Sequence, residues 1–239
     1  MDTYAGRDLE ALAGLRNYQR WIMRWFSPYV RGRVIEYGAG TGTFSVLLQP
    51  LASNLVLVEP FMHPVLHARF GKSDAVSVSE RTLEDHVARQ EDAMADTVVM
   101  VNVLEHIEHD TGALKQFHRI MTPGGHLLIF VPALSALMSA MDRHLGHCRR
   151  YHRLELRSKL EEAGFDVLAL RYFDFPGVVP WLVVNRWLGA TEFNRTLAWI
   201  YDRGVVPIAR AIEVIPPPFG KNLIAVARRR DNAGQSDPH

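Results

Sequence analysis

The sequence is short of cysteine, of net charge and of long apolar runs. Cys148 is the only cysteine among 239 residues, which excludes an internal disulfide framework and favours a reducing compartment. The formal net charge is +1, so the composition gives no reason to expect a nucleic-acid partner. There is no run of about 18 uncharged apolar residues, and no cationic start followed by an apolar stretch. We therefore expect no membrane span, no signal peptide and a cytoplasmic location.

The composition that remains is that of a globular protein with a full core. The chain is 48% hydrophobic and 22% charged, and its length lies within the range of one α/β domain. Short β-branched runs such as Val98–Val101 alternate with stretches whose apolar residues recur every three or four positions. This alternation predicts an α/β fold.

A glycine-rich turn follows the first predicted strand. Val34–Tyr37 form a short apolar strand, and a helical pattern opens at Phe44. Between them Gly38, Gly40 and Gly42 stand at alternate positions, where the lack of Cβ atoms lets a ligand lie against the main chain. A dinucleotide fold requires G-x-G-x-x-G, and threonine at position 43 argues against a nicotinamide-dependent reductase. A glycine turn that holds no ligand is the alternative.

Three short sequence segments, which occur in the same order as in a known family, carry a family resemblance. The segment from Glu36 to Gly42 resembles motif I of the class I S-adenosylmethionine-dependent methyltransferases. Glu59 ends the second predicted strand, 17 residues after Gly42, at the place where such enzymes hold a ribose. The phrase Leu-Glu-His-Ile at 104–107 resembles the segment after strand 4 in the ubiquinone-biosynthesis-like branch, known as types 11 and 12.

The resemblance implies a fold and its subdivisions. The expected fold is a Rossmann-like, doubly wound sheet of seven strands with an antiparallel last strand and a helical insertion before it. The predicted divisions are a helical cap (1–32), the methyltransferase domain (33–228) and a polar, disordered tail (229–239). Within the domain, 133–152 is the predicted acceptor loop and 177–218 the helical insertion.

The resemblance also implies S-adenosyl-L-methionine as cofactor. A carboxylate at Glu59 can accept both ribose hydroxyls, although a surface glutamate is the alternative. Tyr18 is predicted to cover the cofactor, or else to be a core aromatic. The register after strand 3 is open, so Thr82 and Leu83 are guesses. The predicted cofactor-binding residues are Tyr18, Glu36, Gly38, Ala39, Gly40, Gly42, Thr43, Glu59, Pro60, Phe61, Thr82, Leu83, Asn102, Val103 and Leu104.

The segment after strand 4 and the acceptor loop supply the candidate chemistry. His106 is the first candidate for a general base, followed by His147 and Tyr151, because imidazole and phenol groups can take up a proton. A polar or anionic acceptor is predicted to be bound by Asp142, His144 and Arg150. A solvated basic loop is the alternative. A metal site formed by His144, His147, Cys148 and His152 fits no standard zinc spacing, so no metal is predicted.

The predicted function is methyl transfer to a small molecule. A hydroxyl acceptor on a sugar, a lipid-linked glycan or a secondary metabolite is the first hypothesis. N- or C-methylation and a non-catalytic cofactor-binding protein are the alternatives. The insertion at 177–218 resembles two helices with a large apolar face. Its open interpretations are a roof over the acceptor, a homodimer surface and a peripheral membrane anchor, with the first two favoured.

Overall fold

A seven-stranded sheet organises the chain in the order β3-β2-β1-β4-β5-β7-β6. The computed structural model describes residues 14–90, 94–192, 194–212 and 216–231. The strands are β1 (Arg33–Tyr37), β2 (Asn54–Val58), β3 (Val76–Ser79), β4 (Ala95–Val101), β5 (Met121–Pro132), β6 (Phe165–Phe173) and β7 (Asn222–Arg229). The first five strands run parallel, whereas β7 is antiparallel to both β5 and β6. This arrangement confirms the predicted fold.

Helices cover both faces of the sheet. They are α1 (Arg16–Phe26), α2 (Ser45–Leu48), α3 (His63–Phe70), α4 (Leu83–Arg89), α5 (Asp110–Ile120), α6 (Ala140–His144), α7 (Arg153–Glu162), α8 (Val178–Pro180), α9 (Arg195–Ile200) and α10 (Val206–Ile212). A continuous apolar run such as β4 needs apolar cover on both sides, and 98–100 are fully buried.

Two cores lie on opposite faces of the sheet. On one face, Ile22 and Phe26 of α1 pack with Phe130 and Phe173 of β5 and β6. On the other face the core is built mainly from α5 and α7, with Phe117 fully buried. Within the predicted helical cap (1–32), α1 is followed by a 3-10 turn, and 1–13 lie outside the described residues.

The insertion contains the two predicted helical segments. α8 continues as a π-helix over Trp181–Trp187, and α9 continues through a π-helical turn, Tyr201–Val205, into α10. The carboxylate of Asp202 accepts hydrogen bonds from the backbone N–H groups of Asn17 and Tyr18, at 3.2 and 2.8 Å. These N–H groups belong to the first turn of α1, where a carboxylate satisfies otherwise orphan donors. The insertion is therefore tied to the N-terminal helix.

No helix in the described ranges has both the length and the hydrophobicity needed to cross a membrane. The domain boundaries stay predictions, and the part of the tail beyond residue 231 lies outside the described ranges.

Candidate functional site

The glycine loop lies at the carboxyl ends of the parallel strands. Gly38, Gly40 and Gly42 all have positive φ, at 67°, 53° and 82°, which only glycine adopts without strain. The Gly38 N–H donates to the Val58 carbonyl at 2.9 Å. A Cβ atom on Gly38 would lie 2.5 Å from Cγ2 of Val103, so a side chain there would require Val103 to shift. The loop after β1 therefore packs directly against the loop after β4, at the topological switch point where ligands bind in such sheets.

Glu59 fixes this loop through main-chain hydrogen bonds. Its buried carboxylate accepts from the backbone N–H groups of Gly40 at 2.9 Å, Phe61 at 2.9 Å and Met62 at 3.2 Å. A carboxylate offers about four acceptor positions. A ribose would therefore share Glu59 with the loop.

Glu36 is a second buried carboxylate at the same edge. Burial raises the pKa of Glu36 to about 8, and the nearby Glu59 adds to that shift. The hydroxyl of Ser45 donates to Glu36 at 2.6 Å, which opposes the shift. A cation placed between these two acids would stabilise the ionised form of Glu36.

The loop after β4 faces the same edge. Asn102 has a φ of 53°, and its N–H donates to the Phe130 carbonyl at 2.8 Å, which fixes its position at the end of the strand. The side chain of Leu104 is fully buried in the core, so Leu104 offers a ligand no side-chain contact.

The remaining residues of the predicted cofactor set lie around this edge. Ala39 and Thr43 are buried within the glycine loop, and Phe61 is 54% exposed beside the half-buried Pro60. Thr82 caps α4 by accepting the Asp85 N–H at 3.2 Å. Leu83, the first residue of α4, packs partly against the core.

Tyr18 is buried where α1 packs against β5 and β6. Its hydroxyl lies 2.9 Å from Oδ2 of Asp174 and 3.1 Å from Oδ1 of Asn222. Burial and the Asp174 carboxylate raise the pKa of Tyr18 well above its usual value. The structure thus gives Tyr18 the position of a core aromatic that also lines the cavity described next.

A cavity of about 210 Å³ lies between the strand edge and the insertion. Asn102, Phe130 and His147 line it from the sheet and the acceptor loop, whereas Trp181 and Leu197 line it from the insertion. Its wall is mainly apolar. Such a cavity, with a few polar groups converging on it, is the usual form of a small-molecule site.

His147 and Arg150 line the polar end of the cavity, and the buried Asp142 lies behind them. Nδ1 of His147 lies 2.9 Å from Oδ1 of Asp142, and Nε of Arg150 donates to the same oxygen at 2.8 Å. Asp142 is fully buried, and burial works to raise its pKa. The hydrogen bond from His147, the Arg150 charge and the Ser139 hydroxyl prevail and lower the pKa of Asp142 to about 2. Asp142 is therefore an anion that orients the His147 ring.

His106 and Tyr151 lie in less favourable places for proton transfer. Burial and the neighbouring His147 lower the pKa of His106 to about 3, so its imidazole is a weak base at neutral pH. The ring centroids of His106 and His147 are 4.8 Å apart. Tyr151 is fully buried, with its hydroxyl 2.9 Å from Oδ2 of Asp110 and 3.1 Å from the Leu104 carbonyl.

These contacts bear on the predicted roles. Burial and Asp110 raise the pKa of Tyr151 above its usual range. Tyr151 is thus held in the core by Asp110 and the Leu104 carbonyl, and its acid–base role stays a prediction. His144 is exposed at the end of α6 and does not line the cavity, and its contact with the acceptor stays a prediction.

Within the described ranges, two groups of side chains have atoms placed to share a cation. Glu105, His106 and His147 have ligand atoms within 4.8 Å of one another, and so do His63, His67 and Glu80. Neither group is the set of His144, His147, Cys148 and His152 weighed from the sequence. His63 and His67 are one helical turn apart on α3, a spacing that brings two imidazoles to one face.

Several residues of the cavity region were not predicted. Asp174 is buried and accepts from Tyr18, from the hydroxyl of Tyr201 and from the Gly177 N–H at 3.0 Å, and it pairs with Lys221 at 3.1 Å. It joins α1, the insertion and the start of β7. An acid directly after β6 and the aromatics of the insertion were its only sequence signals.

Comparisons with known proteins agree with this geometry. The Methyltransferase domain family matches residues 9–170. A protein of Mycolicibacterium smegmatis named "Probable S-adenosylmethionine-dependent methyltransferase" is 28% identical over 165 residues, 65% of this chain and 63% of that protein. The match thus spans less than two thirds of that relative's length.

Solved structures share the fold at low identity. A SAM-dependent methyltransferase from Archaeoglobus fulgidus has a TM-score of 0.61 at 18% identity, covering 95% of this chain and 100% of that one. One from Mesorhizobium loti has a TM-score of 0.60 at 17% identity, covering 87% and 95%.

The fold and the glycine-loop edge define a class I S-adenosylmethionine-dependent methyltransferase domain. The chain belongs to the Methyltransferase domain family, whose model matches more than half of it. The predicted class and its cofactor are confirmed at this level, and the narrower ubiquinone-biosynthesis-like branch stays a prediction. The residues fit the cofactor, because the buried acids Glu36 and Glu59 complement a ligand with a cationic sulfonium, a cationic ammonium and ribose hydroxyl donors.

Proposed function

We propose that this chain transfers a methyl group from S-adenosylmethionine to a hydroxyl of a small molecule bound in the cavity beneath the insertion. One observation carries the proposal. His147 is held by a buried, ionised Asp142 and lines a mainly apolar cavity that also borders Asn102 at the cofactor edge. A base, an acceptor space and the cofactor edge thus lie together.

The division of roles follows from these positions. Gly38–Gly42, Glu36 and Glu59 would hold the cofactor, with Glu59 shared between the loop and the ribose. S-adenosylmethionine supplies an already activated methyl group, so the protein mainly has to orient the acceptor and exclude water. The apolar wall supplied by Phe130 and Trp181 excludes water.

His147 is the proposed general base. Nδ1 of His147 is directed at Asp142, and its Nε2 lies 4.0 Å from Oε1 of the buried Glu105. The ring also lines the cavity that a hydroxyl acceptor would occupy, which is the position a general base requires. Asp142 stabilises the imidazolium that forms when His147 takes the hydroxyl proton. Arg150 also lines the cavity and is kept in place by Asp142 and by the Trp181 ring, 4.7 Å from its guanidinium.

The first test is calorimetric titration of the purified protein with S-adenosylhomocysteine, with NAD as control ligand. We expect binding of the former and none of the latter. A screen of hydroxyl-bearing acceptors with isotopically labelled S-adenosylmethionine follows, read by mass spectrometry. A methylated amine or carbon as the sole product would replace O-methylation by one of the alternatives. Binding of S-adenosylhomocysteine without turnover of any acceptor class would indicate a non-catalytic cofactor-binding protein.

A further inference from the structure

The insertion carries most of the exposed apolar surface of the described chain. Eleven of the seventeen large apolar side chains with high exposure lie between residues 175 and 219. The most exposed are Leu188 at 76% and Trp187 at 70%. Scattered single apolar residues are normal on a protein surface, but a concentration of this kind marks an interaction site.

The first insertion helix, formed by α8 and the π-helix that follows it (178–187), has two apolar faces. Trp181 and Val184 line the cavity. Val179, Val183 and Trp187 recur every four residues, a spacing that keeps them on one face of a helix, and they are exposed. Core packing therefore accounts for one face and leaves the other open to solvent.

The second insertion helix, which runs from α9 through the π-helical turn to α10 (195–212), repeats this pattern. Asp202 and Val206 are buried, and Asp202 is bonded to α1. Trp199 and Ile200 are each 52% exposed, and the guanidinium of Arg203 stands 4.8 Å from the centroid of the Trp199 ring. The outward side of this helix thus combines apolar side chains with a cation.

The charges distinguish between occupants of this surface. In the described part of the insertion the exposed charged residues are Arg186, Arg195 and Arg203 against one acid, Glu192. A two-fold dimer through this face would bring like charges together. An anionic bilayer offers the opposite charge to the arginines and an apolar interior to the tryptophans, a combination typical of interfacial helices.

We propose that the outward face of the insertion, defined by Val179, Val183, Trp187, Leu188, Trp199 and Ile200, docks onto an anionic phospholipid bilayer. The acceptor of the methyl group is then an amphiphile resident in that bilayer, and this second part of the proposal rests on the proposed function. Leu197 connects the two, because it lines the cavity and is also 54% exposed. An apolar chain can pass from the docked face into the mainly apolar cavity along this residue.

The test is sedimentation of the full chain with two kinds of vesicle, pure phosphatidylcholine and a two-to-one mixture of phosphatidylcholine with phosphatidylglycerol. We expect co-sedimentation with the mixed vesicles and its loss at high salt, which screens the arginines. The double variant W187S/L188S should weaken vesicle binding at least about tenfold, since both side chains lose apolar burial. Leu154→Ser is the matched control, because Leu154 is 75% exposed on α7, outside the insertion.

Calorimetry with S-adenosylhomocysteine separates this proposal from the proposed function. Unchanged affinity in W187S/L188S shows that the variant is folded, so its loss of vesicle binding supports docking. Vesicle binding by a wild-type protein that binds no S-adenosylhomocysteine would leave the docking surface standing and overturn the proposed function.

Three results would overturn either the docking proposal or the inference that the acceptor resides in the bilayer. A wild-type protein that stays in the supernatant with both kinds of vesicle contradicts docking. If ultracentrifugation then finds a dimer that W187S/L188S dissociates, the face belongs to a second copy of the chain. A water-soluble acceptor methylated at the same rate with and without vesicles contradicts the membrane source of the acceptor.

Discussion

Nδ1 of His147 lies 2.9 Å from Oδ1 of Asp142, and Asp142 is fully buried. This contact fixes the orientation of one ring in a loop that contains three histidines between 144 and 152. It selects His147 as the candidate base, ahead of the histidine that the sequence favoured, His106. Asp142 lies in the short helix α6, and His147 follows it five residues later in the chain. Asp142 also takes part in the capping box of this helix.

His147→Ala should lower turnover about 10²- to 10⁴-fold, the usual contribution of a general base, once an acceptor is known. Affinity for S-adenosylhomocysteine should stay the same, because the contacts made by His147 lie at the acceptor end. His144→Ala is the control, since His144 is exposed and does not line the cavity. Equal loss of turnover in both variants would show that the loop as a whole, rather than His147, is required.

Glu59→Ala should weaken binding of S-adenosylhomocysteine by about 1.5–3 kcal/mol, the scale of charged hydrogen bonds. It should also lower the free energy of unfolding, because the N–H groups of Gly40, Phe61 and Met62 lose their acceptor. Calorimetry and urea unfolding measure the two effects. Glu80→Ala, at an exposed acid just after β3, should change neither by a comparable amount. Unchanged affinity in the Glu59 variant would remove Glu59 from the ribose.

Glu36 should make the stability of the cofactor-free protein fall as pH rises. Its carboxyl binds a proton up to about pH 8 in the folded chain but only to its ordinary value of 4.5 when unfolded. Between these values the folded state holds the extra proton, so the stability it provides is present below pH 4.5 and lost by pH 8. The loss is at most about 5 kcal/mol, from about 1.4 kcal/mol per pKa unit.

Glu36→Gln removes this titration. Its melting temperature should exceed that of the wild type at pH 8.5 and approach it at pH 5, measured by scanning calorimetry without cofactor. A variant whose melting temperature follows the wild type in parallel across this range would show that Glu36 ionises normally.

Gly38→Ala should cost more stability than Gly124→Ala, although both glycines have nearly the same φ, 67° and 71°. The positive φ costs about 1–2 kcal/mol in each variant. A Cβ on Gly38 would also meet Val103 at 2.5 Å, whereas nothing lies within 4 Å of one on Gly124. Urea unfolding should resolve a further loss of about 1–3 kcal/mol for Gly38→Ala. Equal losses would mean that Val103 moves aside freely.

Sequence patterns located the cofactor edge well because its parts are local. The strands that lead into this edge, β1, β2 and β4, were visible as short apolar runs, and the glycine loop, Glu59 and Asn102 follow directly after them. Gly38 and Glu59 were recognised by spacing within a short stretch. What spacing could not give was the bond from Gly40 to Glu59, which forms only because β1 and β2 are neighbours in the sheet.

The acceptor side was harder to predict because its contacts are long-range. Asp174 and Tyr18 are 156 positions apart, and no local pattern pairs them. Tyr151 carried a plausible phenol for catalysis, and only the fold shows that its hydroxyl is buried against Asp110 on α5. Local reasoning identifies the type of a side chain, whereas burial and charge partners decide what that side chain can do.

The sequence by itself determined the class of this protein, since a glycine loop, the acid near the end of β1 and the acid after β2 are specified by residues close together in the chain. The tertiary structure alone decided which histidine has a carboxylate partner and which face of the insertion is covered. The physical reason is that a pKa and an exposed area depend on what the rest of the chain brings within a few ångströms. The fold brings the Asp142 carboxylate next to His147, whereas it leaves Trp187 exposed to solvent.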